Sequence, residues 1–435
     1  MLQRLDLRGP GGRADDAHAL RTTLPRPEAA KEPPLAAVQA ILADVKARGD
    51  AAVRDATARF DHVELDDLRV SQADLEAALN DIPPLLREAL EAARGNILAF
   101  HREQVGEDGR YEKDGLVVRE LYRPVERAGC YVPGGRAVYP STVLMTAIPA
   151  RVAGVPEVVL CVPPGPDGRV PTPTLAAAAL AGVDEVYRVG GAQAIGAMAY
   201  GTESIRPVDV IVGPGNIYVS VAKREVANEG VVGVPSAFAG PSEVVVIADE
   251  TTPVDYAAID VIVQAEHGPD GLAWLVTWSV EAADAITEAV TRMVAASPRR
   301  EEIEATLSDG GYCVVVDGPE QAMNVANAIA PEHLELLNAD PEALVPLVRH
   351  AGAVFTGHWA PASVGDYLAG PSHVLPTYGS ARFGGALRVD DFRKVVHVVS
   401  LDQPALARIA PHVAAIAEAE GLVAHAESVR LRSSP

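Results

Sequence analysis

Residues 185–200 read EVYRVGGAQAIGAMAY, and this stretch decides the fold class. Its first five residues have the apolar, β-forming character of a buried strand. Two glycines follow, and small and apolar residues then continue at helical spacing. The pattern predicts a strand over 185–189, a turn at Gly190-Gly191 and a helix over 192–200. A strand that runs through a glycine turn into a helix is the unit from which parallel α/β sheets are built.

The same unit recurs along the chain between residues 158 and 330. Short Val-rich runs predict further strands over 158–162, 208–212, 244–248, 272–277 and 312–316. Helical spacing predicts helices over 173–181, 216–228, 254–266, 281–296 and 320–330. This alternation predicts a doubly wound α/β architecture with mostly parallel sheets. A break near Glu229-Gly230 divides the strands into two units.

The segments that flank the α/β region have a different character. Residues 1–30 are rich in Gly and Pro and predict an extended, peripheral arm. Residues 35–60 and 74–104 predict two helical regions, the second capped by Ser71. A helix-like tail over 405–429 could pack on a partner subunit.

Composition excludes several classes of protein. Of the 435 residues, 37 are Lys or Arg and 59 are Asp or Glu, so the net charge is −22. Such a charge disfavours non-specific binding to nucleic acid or to an anionic membrane. Cys130, Cys161 and Cys313 lack metal-type spacing and are expected to be core thiols in a reducing cytoplasm. Neither an export leader nor a membrane-spanning segment is predicted.

The heptapeptide QAEHGPD at 264–270 places two possible metal ligands three residues apart. Residues at i and i+3 share a face of a helix, so Gln264 and His267 could both contact a zinc-like ion. The alternative is that His267 merely ends a helix before Gly268-Pro269. Two ligands do not make a site, and the rest of the chain must supply the others.

Three glycine-rich turns are candidates for ligand binding. The turns at 129–135, 190–196 and 213–216 allow close backbone approach, and the last two each follow a predicted strand and open a predicted helix. None completes the dinucleotide-binding fingerprint, and the strand over 158–162 does not end in the acidic residue that binds a ribose. Spacing alone therefore gives only weak support for nucleotide binding.

Two further stretches combine groups that transfer protons. Residues 330–335 read APEHLE and set the carboxylate of Glu332 beside the imidazole of His333, although Pro331 could simply begin a helix here. The polar loop 363–376 carries Asp366 and His373 and favours a functional role. In the tail, Glu420 and His425 are five residues apart, where a solvated helix face is the simpler interpretation.

Taken together, these motifs resemble the histidinol dehydrogenase family, from about Val38 to Arg430. The stretches that carry the resemblance lie at 48–50, 60–61, 131–135, 191–194, 213–216, 239–243, 264–267, 330–335, 363–367, 373–377, 381–383 and 418–422. So many motifs in order over nearly the whole chain exclude coincidence.

The resemblance implies a role for individual residues. One Zn²⁺ per subunit would be held by Gln264, His267 and Asp366, with His425 supplied by the partner subunit. Glu332 would activate water and His333 would be the principal base. The substrate would contact Ser242, Gln264, His267, His333, Asp366, His373, Glu420 and His425. NAD would be bound by Tyr131, Gln193 and Asn216.

The resemblance also implies an architecture and an activity. It predicts a first incomplete Rossmann-like domain from residues 31–130 with 237–385, and a second, NAD-binding one from 131–236. Residues 1–30 would be an arm, and residues 386–435 a tail that packs on the partner in a cytoplasmic homodimer. The implied reaction is the four-electron oxidation of L-histidinol, through L-histidinal, to L-histidine, with no nucleic acid or membrane partner.

Two features depart from the family pattern, and two alternatives stay open. The segment 234–238 differs from the usual acidic and apolar run, and His358 is an extra imidazole with no assigned role. Relatives on this scaffold that oxidise other polyols or hydroxy-sulfonates are one alternative, which the presence of His373, Glu420 and His425 disfavours. A non-catalytic zinc-binding descendant is the other, which the pair Glu332-His333 disfavours.

Overall fold

The computed structural model of the chain describes residues 1–9, 14–25, 33–134, 137–236, 242–267 and 271–433. For Ala17 and His267 the description is of the backbone. The predicted turns at 129–135 and 264–270 and the segment 234–238 therefore lie partly outside the described residues.

The strands of the described residues are β1 (Gln3–Asp6), β2 (Gly109–Lys113), β3 (Leu116–Pro124), β4 (Arg127–Tyr131), β5 (Glu157–Val162), β6 (Glu185–Arg188), β7 (Val210–Val212), β8 (Glu243–Ala248), β9 (Leu272–Thr277), β10 (Gly311–Val315), β11 (His333–Leu336), β12 (Ala353–Thr356) and β13 (Arg393–Leu401).

The helices are α1 (Ala17–Thr23), α2 (Leu35–Arg48), α3 (Asp50–Phe60), α4 (Gln72–Asp81), α5 (Pro84–Arg102), α6 (Pro140–Val152), α7 (Thr172–Ala181), α8 (Gly191–Tyr200), α9 (Ile217–Asn228), α10 (Val254–Val263), α11 (Val280–Ala296), α12 (Arg300–Gly310), α13 (Pro319–Ile329), α14 (Ala362–Tyr367), α15 (Gln403–Ala419) and α16 (Val423–Ser433). Short 3₁₀ turns occupy Gln264–His267, Val345–Leu347, Ser380–Arg382 and Val389–Phe392.

The larger sheet has six parallel strands in the order β1-β10-β9-β8-β11-β12. Every residue of β8 and β9 is buried, as expected for parallel strands covered on both faces. Apolar residues of α10, α11 and α12 pack on one face of the sheet, and those of α1 and α13 pack on the other.

The smaller sheet has four parallel strands in the order β6-β5-β4-β7. The helices α2, α3, α8 and α9 form a core on one face, and α4 to α7 form a core on the other. The chain is thus a mixed α/β protein with two parallel sheets, as predicted.

The N-terminal part of the chain packs differently from the expectation. Residues 3–6 form the edge strand β1, and Leu20 of α1 is fully buried, in place of an extended arm. The helices over 35–102 share their cores with the four-stranded sheet, whereas residues 31–130 were expected to belong with the other sheet. The domain boundaries themselves stay a prediction.

A third, antiparallel sheet joins distant parts of the chain in the order β13-β3-β2. The tail that follows it is two helices, because the chain turns at Gly421, whose φ is 75°. α15 and α16 pack against each other. In the described part of the chain, no helix combines the length and the apolar character that crossing a membrane requires.

Candidate active site

Glu332 and His333 lie where helix α13 gives way to strand β11. The helix ends at Ile329, and Ala330 adopts a left-handed conformation with a φ of 56°. From His333 onwards the chain pairs with β8 on one side and with β12 on the other. The alternative of a helix that begins at Pro331 is therefore wrong. Glu332 is 7% exposed and His333 is 3% exposed, so both reactive groups are withdrawn from bulk water.

The backbone of Glu243, at the start of β8, orients both side chains. Its N–H donates to Oε2 of Glu332 at 2.9 Å, and its carbonyl lies 3.1 Å from Nδ1 of His333. A carbonyl oxygen only accepts hydrogen bonds, so Nδ1 carries a hydrogen. In the neutral imidazole, Nε2 is then the nitrogen that can accept a proton. The carboxylate of Glu243 is held by the N–H of Tyr378, at 3.0 Å.

Carboxylates flank the imidazole of His333 on both sides. Nδ1 lies 3.5 Å from Oε2 of Glu332, and Nε2 lies 3.5 Å from Oδ1 of Asp366. Burial acts to lower the pKa of His333, but the charges of Glu332 and Asp366 outweigh it and raise the pKa to about 9. Burial raises the pKa of Glu332 to about 7, against the field of His333. At neutral pH the carboxyl group of Glu332 is therefore partly ionised, whereas the imidazole of His333 is mostly protonated and becomes an available base as the pH rises towards 9.

Asp366 and His373 come together although His373 lies in an irregular part of the chain. Asp366 is on the short helix α14, and its carbonyl lies 2.9 Å from Nδ1 of His373. Nε2 of His373 lies 3.0 Å from Oγ1 of Thr142, a buried residue of α6. Thr142 was not singled out from the sequence, because a Thr inside an apolar helix carries no motif.

Gln264 and His267 are the first and last residues of a 3₁₀ turn that ends α10. Such a turn has three residues per turn, so these two backbone positions lie on the same side of it. Gln264 is 1% exposed, and its Nε2 has no hydrogen-bond partner among the described residues. Ser242 lies nearby at the start of β8, where its carbonyl accepts from the N–H of Leu272 at 3.1 Å.

These groups fit a zinc ion. The amide oxygen of Gln264, the imidazole of His267 and the carboxylate of Asp366 are oxygen and nitrogen donors of the kind that zinc accepts. The fit depends on Gln264, His267 and Asp366, and the side chain of His267 lies outside what the structure describes. Among the described residues, no group of three or more His, Cys, Asp and Glu side chains could hold a metal by itself.

Glu420 and His425 are not part of this cluster in one protomer. Glu420 follows the last residue of α15, His425 is on α16, and both are exposed. The structure therefore brings Glu332, His333, Asp366 and His373 together and leaves the two tail residues at the surface.

The three residues expected to contact NAD lie around the four-stranded sheet. Tyr131 ends β4, and its hydroxyl accepts from the N–H of Gly191 at 3.0 Å. Gln193 is buried in the first turn of α8. Asn216 caps α9 by accepting from the N–H of Val219 at 3.1 Å.

The strand order places a crevice in this region. β5 and β6 lie on one side of β4, whereas β7 lies on the other, so the direction of winding changes between β4 and β7. Ligands of open parallel sheets bind outside the carboxyl ends of the strands at such a switch point. Tyr131 ends one of these strands, and the turn 213–216 follows the other.

The two candidate regions use opposite edges of their sheets. One region lies where strands of the six-stranded sheet begin. Ser242 precedes β8, Glu332 precedes β11, and the turn at 264–267 precedes β9. Tyr131 and the turn 213–216 lie at the carboxyl edge of the four-stranded sheet. Hydrophobic periodicity predicts where the strands lie, but it does not predict at which end of the strands the candidate residues meet.

Comparison with known proteins gives consistent results. A family model described as histidinol dehydrogenase matches residues 24–433. The histidinol dehydrogenase of Parasynechococcus marenigrum (strain WH8102) is 52% identical over 398 residues, which are 91% of this chain and 90% of that protein. The histidinol dehydrogenase of Geobacillus kaustophilus (strain HTA426) is 46% identical over 415 residues, 95% of this chain and 96% of that protein.

A solved structure agrees with these sequence comparisons. The crystal structure of histidinol dehydrogenase from Elizabethkingia anophelis superposes with a TM-score of 0.92 at 35% sequence identity. The superposition covers 99% of this chain and 98% of that one.

Proposed function

Because the chain belongs to the histidinol dehydrogenase family of oxidoreductases, we propose that it oxidises L-histidinol to L-histidine in a zinc-dependent, NAD-linked reaction of four electrons. The observation that carries this proposal is the pair Glu332-His333, held by one backbone unit in a buried site. The reaction needs two proton acceptors, one for the alcohol and one for water, and the pair supplies them.

His333 serves the first oxidation. In its neutral form, His333 accepts the proton of the substrate hydroxyl on Nε2 while the carbon that bears this hydroxyl gives a hydride to NAD⁺. The product is the aldehyde L-histidinal. The carboxylates of Glu332 and Asp366 stabilise the imidazolium that forms, because each lies 3.5 Å from one of its nitrogens.

Glu332 serves the second oxidation. Its carboxylate accepts a proton from water as the water oxygen adds to the aldehyde carbon. The hydrated aldehyde then gives a hydride to a second NAD⁺ and becomes the carboxylic acid. With its pKa raised to about 7, Glu332 is a stronger base than an ordinary carboxylate and is still ionised to a useful extent at neutral pH.

Zinc would be held by Gln264, His267 and Asp366, and by His425 of the partner subunit. When bound, the ion supplies a Lewis-acid anchor for the amino and imidazole nitrogens of the substrate. Support comes from the burial of Gln264, which is 1% exposed and whose amide oxygen is the atom that can bind a metal ion. Ser242 and His373, together with Glu420 of the partner subunit, would add contacts to the substrate.

NAD would bind in the crevice of the four-stranded sheet, beside Tyr131, Gln193 and Asn216. The position of Tyr131 and of the turn 213–216 at the switch point supports this placement. The sheet with its helices would then act as a Rossmann-like domain without the usual fingerprint.

A homodimer would complete the site. Glu420 and His425 are exposed on a tail that also exposes large apolar side chains. Ile416 is 64% exposed, Val423 is 71% exposed and Leu431 is 70% exposed, which is typical of an interaction surface. The cytoplasm is the proposed compartment, supported by three buried cysteines that are free thiols.

The direct test is to count NADH. The purified, zinc-loaded protein is incubated with limiting L-histidinol and excess NAD, and the product is identified by mass. We expect two NADH per substrate and L-histidine. One NADH with the aldehyde would contradict the four-electron reaction, and no NADH with zinc bound would contradict the substrate.

A further inference from the structure

Two buried carboxyl groups face each other beneath the site. Glu335 on β11 is fully buried, and Asp260 on α10 is 6% exposed. The two carboxyl groups are at hydrogen-bonding distance from each other. No Arg, Lys or His side chain forms an ion pair with either of them among the described residues. Neither group has a role in the proposed reaction.

A hydrogen bond between the two carboxyl groups requires that one of them carry a proton. If both groups were carboxylates, both would be acceptors only, and the oxygens of Glu335 would have no donor with the geometry of a full hydrogen bond. A proton on one of the two carboxyl groups supplies that donor. Burial and the neighbouring carboxyl group of Asp260 raise the pKa of Glu335, and burial raises the pKa of Asp260, which favours the protonated form.

The position of the pair links it to β11 and α10. Glu335 is two residues after His333 in β11, so the two side chains lie on the same face of the strand. Asp260 lies on α10, about one helical turn before Gln264, which begins the 3₁₀ turn that follows this helix.

The pair also reaches the element that carries Asp366. The N–H of Ala362, the first residue of α14, approaches the carboxyl group of Glu335. One buried polar junction therefore connects the three elements that present His333, Gln264 and Asp366.

We propose that Asp260 and Glu335 are positioning residues for the reaction, a carboxyl pair that shares one proton and fixes the relative placement of β11, α10 and α14. This inference rests on the proposed function, in which His333 is the base and Gln264 and Asp366 hold zinc. The shared hydrogen bond fixes the distance between β11 and α10. An apolar pair of similar size would fill the same space but would not set that distance.

The test compares an amide with an apolar side chain at the same position. Glu335→Gln keeps a hydrogen bond, because the amide of the new side chain can donate to the carboxylate of Asp260. Glu335→Met has a similar volume and cannot. Both variants are measured for kcat with L-histidinol and for zinc retained after dialysis against a chelator, with the thermal midpoint of unfolding as the check on folding.

We expect Glu335→Gln to keep kcat within about threefold of the wild type and to retain zinc. We expect Glu335→Met to lose at least about tenfold in kcat and to release zinc faster, with an unfolding midpoint close to that of the wild type. Equal losses in both variants would overturn the proposal, because a carboxyl group that acts chemically is not replaced by an amide. Wild-type behaviour of Glu335→Met would overturn it as well.

The same contrast at the other position keeps the test decisive if Glu335→Met does not fold. Asp260→Asn should behave like the wild type, and Asp260→Leu should release zinc.

Zinc retention also separates this proposal from the proposed function. A wild-type protein that forms no NADH from L-histidinol would refute the function, whereas the difference in zinc retention between amide and apolar variants would still decide the role of the pair.

Discussion

A single backbone unit, that of Glu243, holds both reactive side chains. Its N–H fixes the carboxyl group of Glu332, and its carbonyl fixes the tautomer of His333. In the proposed reaction, the two side chains would therefore act as different bases although they are adjacent in sequence. His333 presents Nε2 towards Asp366, and we propose that Glu332 acts on water.

Replacing the imidazole tests the first of these roles. His333→Asn should lower kcat for L-histidinol by about 10²–10⁴-fold, the usual contribution of a general base. Zinc content should not change, because His333 is not a proposed ligand. The rate of NADH formation and the metal content per subunit are the measurements, and a variant that turns over near the wild-type rate would refute the assignment.

The pH dependence of the second oxidation tests Glu332. The carboxylate must be ionised to accept a proton, so the rate with added L-histidinal should rise with pH through the pKa of about 7 and then level off. Glu332→Gln should abolish this rise and stop L-histidinol oxidation after one NADH. A variant that still forms two NADH would show that another group activates water.

At the scale of elements, helix α9 holds the turn at 213–216 through a buried lysine. Lys223 is fully buried, and its Nζ contacts the carbonyls of Gly213 and Ser236. Burial lowers the pKa of Lys223 from 10.5 to about 7. Between these two pH values the unfolded chain binds a proton that the folded protein has lost, so stability rises with pH.

Lys223→Met should remove the dependence of stability on pH that Lys223 causes. The free energy of unfolding of the wild type, relative to that of the variant, should increase from pH 7 towards pH 10 by at most about 1.4 kcal/mol per pH unit. Urea unfolding of both proteins at several pH values measures the difference. A difference that is the same throughout this range would mean that Lys223 titrates normally in the folded protein.

A second prediction concerns Gly213, which lies in the same turn. Its φ is 111°, and a Cβ atom at this position would lie 2.0 Å from the carbonyl oxygen of Tyr131. Gly213→Ala should therefore lower the free energy of unfolding by about 1–3 kcal/mol or more and raise KM for NAD. Gly230→Ala is the matched control, because Gly230 has a φ of 71° and open space around it. Equal effects of the two changes would exclude a specific role for the turn.

Hydrophobic periodicity predicted the elements that are buried on both faces. The predicted strand over 272–277 has the observed bounds, and the helix predicted over 192–200 begins only one residue earlier, at Gly191. Ser71 caps α4 as predicted, accepting from the N–H of Asp74 at 3.1 Å. In these elements, local pattern and tertiary packing favour the same structure.

Elements whose structure depends on distant partners were missed. β1 is four residues long and is stabilised by pairing with β10, which lies about 300 residues away in sequence. β11 follows Pro331 and Glu332, which locally favour a helix start. In the candidate site, the ordered motifs include the side chains that the fold brings together, but the backbone of Glu243 and the hydroxyl of Thr142 have no signature in sequence.

At the scale of the whole molecule, one protomer brings together only some of the residues that are expected at the site. Glu332 and His333 are buried beside the half-buried Asp366, whereas Glu420 and His425 are exposed on the tail. In a symmetric dimer each tail would complete the site of the other subunit. Closing the site in this way would also retain a reactive aldehyde between the two oxidations.

Activity of a purified mixed dimer tests this account most directly. His333→Asn and His425→Ala subunits are produced together with different affinity tags, and the heterodimer is isolated with both tags. One of its two sites then combines an intact base with an intact tail from the other subunit. We predict about half of the wild-type rate, while both parent homodimers stay nearly inactive. A heterodimer no more active than its parents would show that each tail serves its own subunit and would contradict the shared site.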